Sequence, residues 1–284
     1  MAAAAQELVE DIGELVSLPE IVHKINEMVN SEESNATDIA RVISQDPAIS
    51  TRILRVANSS LYGGARQIDS INRAVTILGT KQIRDLTLST SVSRVFAGIS
   101  NDVISVEDFW HHSLYCALLA KALAEKSKRV NADTIFTAGL LHDIGHLVMF
   151  NRVPEQAQAA ILLTIQGDAG VPLHEAERQI LGFDHAEVGA DLAREWHLPD
   201  VLVSCIESHH DLHADTPYPE AVATIHIANV IASLPYSDIP APEDIAGIAP
   251  EAWKMAGISP EDIQSAVSQA CSQISETQQA LFGN

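Results

Sequence analysis

The sequence predicts an all-α protein, with an N-terminal helical sub-domain packed on a second helical core. Three observations support this fold class: apolar residues recur at helical spacing, helix-starting and helix-stopping residues recur between them, and alternating strand patterns are nearly absent. The chain has 284 residues, of which 46% are hydrophobic, enough to bury a sizeable core. We divide it into an N-terminal part at 1–98, a histidine-bearing part at 99–240 and a C-terminal extension at 241–284.

The apolar spacing in the N-terminal part predicts about five helices. Pro19 stands where a first helical residue would, before the amphipathic segment EIVHKINEMV. The predicted N-caps of the next four helices, in chain order, are Thr37, Asp46, Ser70 and Thr80. Gly79 is predicted to end the helix that Ser70 begins. The order helix–glycine–helix in AVTILGTKQIRDLTLS also permits a DNA-binding helix-turn-helix, but an ordinary corner between two helices is the simpler interpretation.

The rest of the chain continues the helical pattern. Its predicted helical segments are DFWHHSLYCALLAKALAEKS, ADTIFTAGLLHDIGHLVMF, VPEQAQAAILLTIQ, PLHEAERQILG, DHAEVGADLAREW, PDVLVSCIESHH and PEAVATIHIANVIASL. Residues 236–259, rich in Pro, Gly and Ala, predict loops and short turns. A last helix, in SPEDIQSAVSQACSQISETQQALF, starts with a capping-box pattern from Ser259 to Asp262.

Charge and cysteine content exclude several classes of function. Lys and Arg number 17 and Asp and Glu number 38, so the net charge of −21 disfavours nucleic acid or an anionic membrane as a partner. The chain also has one local basic group, formed by Lys121, Lys126, Lys128 and Arg129. We interpret this group as a solvated helix end. No apolar stretch approaches the ~20 residues that span a bilayer, and the first residues lack the basic region of a signal peptide. Three cysteines predict no disulfide framework, so we expect a cytoplasmic protein.

The segment AGLLHDIGHLVMF, residues 138–150, raises the main functional question. It is apolar almost all round, which predicts one continuous helix surrounded by other helices. Yet it carries His142, Asp143 and His146. An unpaired carboxylate is costly to bury, so Asp143 is either satisfied by hydrogen-bond donors or helps to hold a metal ion.

The distribution of histidines favours a metal site. All but one of the 12 histidines lie between residues 111 and 226. A single histidine on an apolar helix is more often a hydrogen-bonded core residue than a ligand. Several histidines, each on a different predicted helix, instead favour convergence on one pocket, as in metal sites of helical bundles. The alternative is a polar core in which these groups satisfy one another without a metal.

Six of these polar residues follow one another in a distinctive order: His112, His142, Asp143, His185, His209 and His210. Around them stand the segments LPEIVHKI, QDPAISTRILRVANSSLYG, INRAVTILG, AGLLHDIGHLV, LGFDHAEVGADLAREWHLP and SHH, from about residue 15 to 233. In both respects the chain resembles the HD superfamily of metal-dependent phosphohydrolases. It resembles most closely the HDOD family, an HD-related output domain of bacterial signalling proteins. The resemblance implies an all-α fold with an N-terminal helical part packed on an HD-like core.

The resemblance also implies a ligand set and a cofactor. The implied metal ligands are His112, His142, Asp143, His185, His209 and His210. The implied cofactor is a divalent transition metal (Fe, Mn, Ni or Zn) or Mg. If the chain is an active enzyme, the implied catalytic residues are Asp143 and His146.

Two departures from the pattern of active relatives bear on catalysis. Asn229 stands where that pattern has a further aspartate, and its amide offers an oxygen without a negative charge, which lowers the expected affinity for a divalent ion. His146 stands where many active relatives of the HD-GYP type carry a lysine, and the GYP motif itself is absent. Both departures predict a protein that is regulatory rather than catalytic.

We therefore predict a bacterial signal-transduction output module with a retained or partly degenerate HD metal pocket. The resemblance implies signalling proteins as partners: a histidine kinase, a response regulator or cyclic-dinucleotide enzymes. The alternative is a metal-dependent phosphohydrolase that acts on a nucleotide or cyclic dinucleotide.

Overall fold

The structure is a computed structural model that describes residues 2–12, 16–31, 33–62, 67–96, 104–166, 170–213, 215–234, 240–241, 244–245 and 247–283. Within these ranges the chain is helical and contains no strand, which confirms the predicted fold class. No helix in the described part is long and apolar enough to cross a membrane.

The N-terminal part contains six helices in its described residues. They are α1 (Ala2–Ile12), α2 (Glu20–Asn30), α3 (Ala36–Ile43), α4 (Pro47–Ala57), α5 (Ile71–Leu78) and α6 (Thr80–Val95). The histidine-bearing part follows with α7 (Val106–Ser127), α8 (Ala132–Leu141), α9 (Ile144–Arg152), α10 (Pro154–Gln166), α11 (Leu173–Leu181), α12 (His185–Glu195), α13 (Asp200–Ser208) and α14 (Pro219–Ala232). The described chain ends with α15 (Pro250–Ala256) and α16 (Asp262–Phe282).

Several helix ends agree with the capping chemistry of the sequence. Asp46 Oδ1 accepts hydrogen bonds from the first turn of α4, and the side chain of Ser70 caps α5. Gly79 ends α5 at a φ of +88°, a conformation that favours glycine. Thr80 was predicted to cap α6, but it is the first residue of that helix, because the extended break falls at Gly79.

The predicted N-cap of α3, Thr37, is also wrong. Asn35 caps this helix instead: its side chain accepts hydrogen bonds from the backbone N–H groups of Thr37 and Asp38. The Asp38 carboxylate in turn accepts a hydrogen bond from the Asn35 backbone. This reciprocal pair satisfies free donors at the helix start, which Thr37, two residues later and already inside the helix, could not do.

The helices bury two hydrophobic cores among the described residues. The smaller core joins α2 to α6 in the N-terminal part, with Ile25, Ile39 and Ile53 at its centre. The larger core surrounds α7, a long helix that packs against α8, α14 and α16. The first helix packs on α9 and α12, and the last helix also contacts α4, so both ends of the chain contribute to the packing of the whole.

Two expectations about individual segments need correction. The stretch 236–259 was predicted as loops and short turns, but it contains α15, while residues 235–239 lie outside the described part. Lys121 was assigned to a solvated basic group, but only 5% of it is exposed. Its ammonium group donates a hydrogen bond of 2.6 Å to Asp133 and lies 4.4 Å from the Tyr62 ring, so helix packing rather than solvent surrounds it.

Candidate metal centre

A break between two helices creates the site. The segment 138–150 was predicted as one continuous helix, but α8 ends at Leu141 and α9 begins at Ile144, with a turn at His142 and Asp143 between them. The apolar pattern of this segment indicates that it is buried, but it does not distinguish one continuous helix from two consecutive helices. After the turn, α9 packs backbone to backbone on α12, so closely that a Cβ on Gly145 would lie 2.0 Å from the His185 carbonyl oxygen.

The Asp143 carboxylate is the centre of the site. Its Oδ2 atom lies 3.4 Å from His112 Nε2 and 3.2 Å from His142 Nε2. Its Oδ1 atom lies 3.3 Å from His185 Nε2 and 3.4 Å from His209 Nε2. Four imidazoles from α7, the α8–α9 turn, α12 and the end of α13 therefore surround a single carboxylate that is 9% exposed.

His210 completes the set of six predicted residues, because its Nε2 atom lies 3.0 Å from His185 Nε2. His146, the residue predicted to be catalytic only in an active enzyme, is farther from the centre: its Nδ1 atom lies 3.9 Å from Asp143 Oδ2. The structure thus brings all six predicted residues to one place, with His146 beside them.

The outer hydrogen bonds of the imidazoles fix their orientation. His142 Nδ1 lies 2.8 Å from the Gly139 carbonyl oxygen, and His209 Nδ1 lies 2.8 Å from that of Ile206. A carbonyl only accepts, so each Nδ1 atom carries the proton and donates it. In both residues Nε2 faces Asp143, and this atom has a lone pair when the ring is neutral. Burial alone would lower the pKa of His142, but Asp143 raises it, so this ring favours the protonated form beside the carboxylate.

Glu177 orients a third imidazole and is the site residue that sequence reasoning missed. Its Oε2 atom accepts hydrogen bonds from His185 Nδ1 at 2.6 Å and from the His185 backbone N–H at 3.0 Å. Its Oε1 atom lies 2.9 Å from His146 Nε2. The sequence held one signal, since Glu177 occupies an inward position of α11, four residues from both Leu173 and Leu181.

The charges in the site depend strongly on one another. Burial alone would raise the pKa of Asp143, but His142 and hydrogen bonds from neighbouring imidazoles hold this pKa well below its usual value. Burial alone would lower the pKa of His185, but Glu177 and Asp143 raise it to about 10. Burial of His209 lowers its pKa to about 4, so this ring is neutral near pH 7.

His209 therefore places a neutral ring nitrogen beside the Asp143 carboxylate. Its neutral Nε2 atom directs a lone pair towards the Asp143 oxygen 3.4 Å away, and it is buried without a hydrogen-bond partner in the described part of the chain. Two electron-rich atoms that face each other out of water are unfavourable unless a proton or a cation lies between them. The imidazole nitrogens and carboxylate oxygens of this cluster are therefore suited to holding a cation.

A cavity of about 700 Å³ opens beside this cluster. Asn229 lines it, with its Oδ1 atom 3.3 Å from His142 Nε2, so the amide stands at the edge of the ligand cluster. His174 also lines the cavity and stacks on His210 with a distance of 4.1 Å between ring centroids. The cavity is large enough for a small-molecule ligand next to the carboxylate.

Three overlapping groups of atoms in the described part of the chain have the spacing of metal ligands, with all ligand atoms of a group within 4.8 Å of one another. The first contains Asp143, His185, His209 and His210, the second contains His112, His142 and Asp143, and the third contains His146, Glu177 and His185. Mixed imidazole and carboxylate donors suit transition metals. This buried His/Asp cluster could hold a metal ion.

The fold and this site define an HD-like helical protein, and sequence comparison identifies its family. The HDOD domain profile matches residues 15–212, so the chain belongs to the HDOD domain family. An uncharacterized protein of Treponema pallidum (strain Nichols) is 30% identical over 248 residues, which are 84% of this chain and 47% of that protein. The chain thus spans about half the length of this relative.

Two crystal structures show the same fold at 27% sequence identity. One is an HDOD domain protein with unknown function from Geobacter sulfurreducens, with a TM-score of 0.77 over 99% of this chain and 96% of that chain. The other is a protein of Shewanella amazonensis SB2B described as a candidate phosphohydrolase, with a TM-score of 0.77 over 96% of this chain and 97% of that chain.

Proposed function

We propose that this chain is a signal-transduction output module whose His/Asp pocket binds a divalent transition metal without catalysing phosphate-ester hydrolysis. One observation carries the proposal: His142, His185 and His209 each donate from Nδ1 to an outer acceptor and turn Nε2 towards Asp143. Outer hydrogen bonds of this kind orient histidine ligands around a metal. The output would pass through protein partners such as a histidine kinase, a response regulator or cyclic-dinucleotide enzymes.

The donor chemistry narrows the metal. Imidazole nitrogens suit Zn, Fe and Ni, and they tolerate Mn, whereas Mg prefers oxygen ligands and keeps several waters. The proposed ligands are His112, His142, Asp143, His185, His209 and His210. Because only one of these six is a carboxylate, we expect a transition metal rather than Mg.

Two features of the site support a non-catalytic role. In an active phosphohydrolase, the metal would polarise a phosphoryl oxygen and lower the pKa of a bound water. Here Asn229 offers no negative charge to help hold a divalent ion. His146 is unsuited to protonating a leaving oxygen, because its Nε2 atom is engaged with Glu177 at 2.9 Å and its Nδ1 atom faces Asp143.

The alternative function is that of a metal-dependent phosphohydrolase acting on a nucleotide or cyclic dinucleotide. The cavity of about 700 Å³ favours it, because Asp143, His185 and His210 line a space that could admit a phosphate ester. In that case Asp143 would anchor the metal, and a histidine would have to be released from its present hydrogen bonds to act as the acid.

The deciding experiment combines elemental analysis with a hydrolysis assay on purified protein. We compare the wild type, His142→Ala and the control His213→Ala, which removes an exposed histidine outside the pocket. The proposal expects a transition metal in the wild type and the control but not in His142→Ala. It also expects no hydrolysis of bis(p-nitrophenyl) phosphate above the rate of His142→Ala.

Two outcomes would contradict the proposal. Hydrolysis by the wild type that His142→Ala abolishes would establish the phosphohydrolase instead. A wild-type protein that takes up no Zn, Fe, Ni or Mn, even after incubation with each ion, would leave a polar core that is satisfied without metal.

A further inference from the structure

A second cavity, of about 870 Å³, lies between α4, α6, the first turns of α7 and the C-terminal helix α16. Arg52, Arg94, Trp110, Gln278 and Phe282 are among the residues that line it. We call it the arginine cavity. Its volume is in the range of small-molecule sites.

Positive charge is concentrated at this place in a strongly acidic chain. Arg52 and Arg94 line the cavity, and Arg55 lies beside it, with Nη1 donating a hydrogen bond of 3.1 Å to the carbonyl oxygen of Gly283, another lining residue. The chain has 17 basic residues against 38 acidic ones, so this group of three arginines contrasts with its overall charge. An anion that approaches this protein meets a favourable potential here.

The three guanidinium groups form no direct ion pair in the described part of the chain, since none of them lies within 4.0 Å of a described carboxylate. Acidic groups offset part of their charge, because Glu107 also lines the cavity and Asp46 acts electrostatically on Arg52. Burial lowers the pKa of Arg52, and repulsion from Arg94 and Arg55 lowers it further. Like charges that repel one another in this way are stabilised when an anion binds between them.

Two aromatic residues also line the cavity. Trp110 is 6% exposed and packs against Phe282, with 5.4 Å between their ring centroids. Gln278 and Ser93 add amide and hydroxyl groups that hydrogen-bond to a polar heterocycle. A ligand that matches the arginines and the aromatic residues carries a phosphate and a flat aromatic group.

We propose that the arginine cavity is a nucleotide-binding site. The phosphate lies against Arg52 and Arg94, because guanidinium groups pair with phosphate oxygens in a bidentate manner. The base lies against Phe282 and the small exposed part of Trp110, where aromatic contact stabilises it. The site is separate from the His/Asp pocket: Trp110 and His112 are two residues apart on α7 and therefore point to opposite sides of this helix.

Calorimetric titration of the full chain tests the proposal. The probes are adenosine and guanosine monophosphates and triphosphates, with inorganic phosphate and adenosine as the two halves of the ligand, all in excess chelator. We expect binding of nucleotides and much weaker binding of either half. Arg94→Gln and Arg52→Gln should each weaken nucleotide binding at least about tenfold, the loss expected for a charge-assisted hydrogen bond.

Two controls separate this site from other effects. Arg73→Gln removes a half-exposed arginine of the same sub-domain, outside the cavity, and should leave the affinity unchanged. His142→Ala removes a proposed metal ligand and should also leave it unchanged, so the failure of metal binding and the failure of nucleotide binding are distinguishable. Arg94 is exposed, so its variant carries the test even if Arg52→Gln does not fold.

Several results would overturn the proposal. The first is that no nucleotide binds to the wild type at concentrations up to about 1 mM. The second is equal affinity in Arg94→Gln and the wild type. The third is loss of binding in His142→Ala, which would place the nucleotide in the His/Asp pocket. Inorganic phosphate binding as tightly as a nucleotide would show that the aromatic residues take no part.

Discussion

Two aspartates, Asp85 on α6 and Asp143 between α8 and α9, are both buried, yet their surroundings differ in kind. Asp85 accepts a hydrogen bond of 2.8 Å from Arg84 Nε and one of 3.3 Å from the Thr134 hydroxyl. Asp143 is surrounded by imidazoles at 3.2 to 3.4 Å. One carboxylate has a permanent cation as its partner, and the other has partners that can also bind a metal.

The pKa shifts of the two carboxyl groups have opposite directions. Burial raises the pKa of Asp85, and Arg84 only partly opposes this effect. At Asp143 burial acts in the same sense, but the surrounding histidines outweigh it and lower the pKa. The comparison teaches that burial of a carboxylate does not itself indicate a functional site. The chemistry of its partners, and an adjoining cavity, distinguish the two cases.

The largest expected effect comes from removing the cation at Asp85. Arg84→Gln should lower the free energy of unfolding by about 3–5 kcal/mol near neutral pH, because it leaves a buried carboxylate without a compensating charge. Since the pKa of Asp85 is raised above its ordinary value of 3.8, protonation removes this penalty as the pH falls. Denaturant unfolding followed by circular dichroism should therefore show a larger loss at about pH 8 than at about pH 5.

The double variant Arg84→Gln with Asp85→Asn is the control for this prediction. It removes both charges and should recover most of the lost stability. A loss in Arg84→Gln that does not depend on pH, or that the double variant fails to reduce, would contradict a charge-based account of Asp85.

A smaller effect is expected at the carboxylate that supports the His/Asp pocket. Glu177→Gln removes the negative charge that holds His185 and His146, so metal affinity should fall about 10- to 100-fold. Competition with a chromophoric chelator measures it. Glu187→Gln, a half-exposed position on the neighbouring helix α12, is the matched control and should bind metal like the wild type. Equal affinity in both variants would show that Glu177 does not orient the ligands.

The smallest predicted effect is a gain. Asn229→Asp places a negative charge where the Asn229 oxygen now lies 3.3 Å from His142 Nε2. Metal affinity should rise on the order of tenfold, or ~1.4 kcal/mol, in the same competition assay. Asn229→Ala removes the amide without adding charge and should show no gain. If Asn229→Asp binds metal no better than the wild type, the amide does not limit the site.

The sequence was sufficient for the fold class and for the prediction that Asp143 and five histidines lie together. Helix caps and apolar spacing depend on neighbours along the chain, which is why Asp46 and Ser70 are the N-caps of α4 and α5 as predicted. The order of histidines in the motifs identified which side chains meet. The domain boundaries at residues 98 and 240 and the proposed partners stay predictions.

Other features could not be predicted, because they depend on contacts between distant segments. The break at His142 and Asp143 arises where Gly145 packs on the backbone of α12, a contact that hydrophobicity does not report. Glu177 resembles any helical glutamate until α11 is placed beside His185. The arginine cavity likewise requires that α4, α6 and the C-terminal helix be brought together.

The most direct test of the central claim compares the same conservative substitution at the two buried aspartates. Asp143→Asn and Asp85→Asn are each purified, incubated with Zn, Fe, Ni or Mn, dialysed and subjected to elemental analysis. We predict that Asp85→Asn retains the metal content of the wild type and that Asp143→Asn loses it. Wild-type metal content in folded Asp143→Asn would contradict the conclusion that the histidines gather around Asp143 to hold a metal ion.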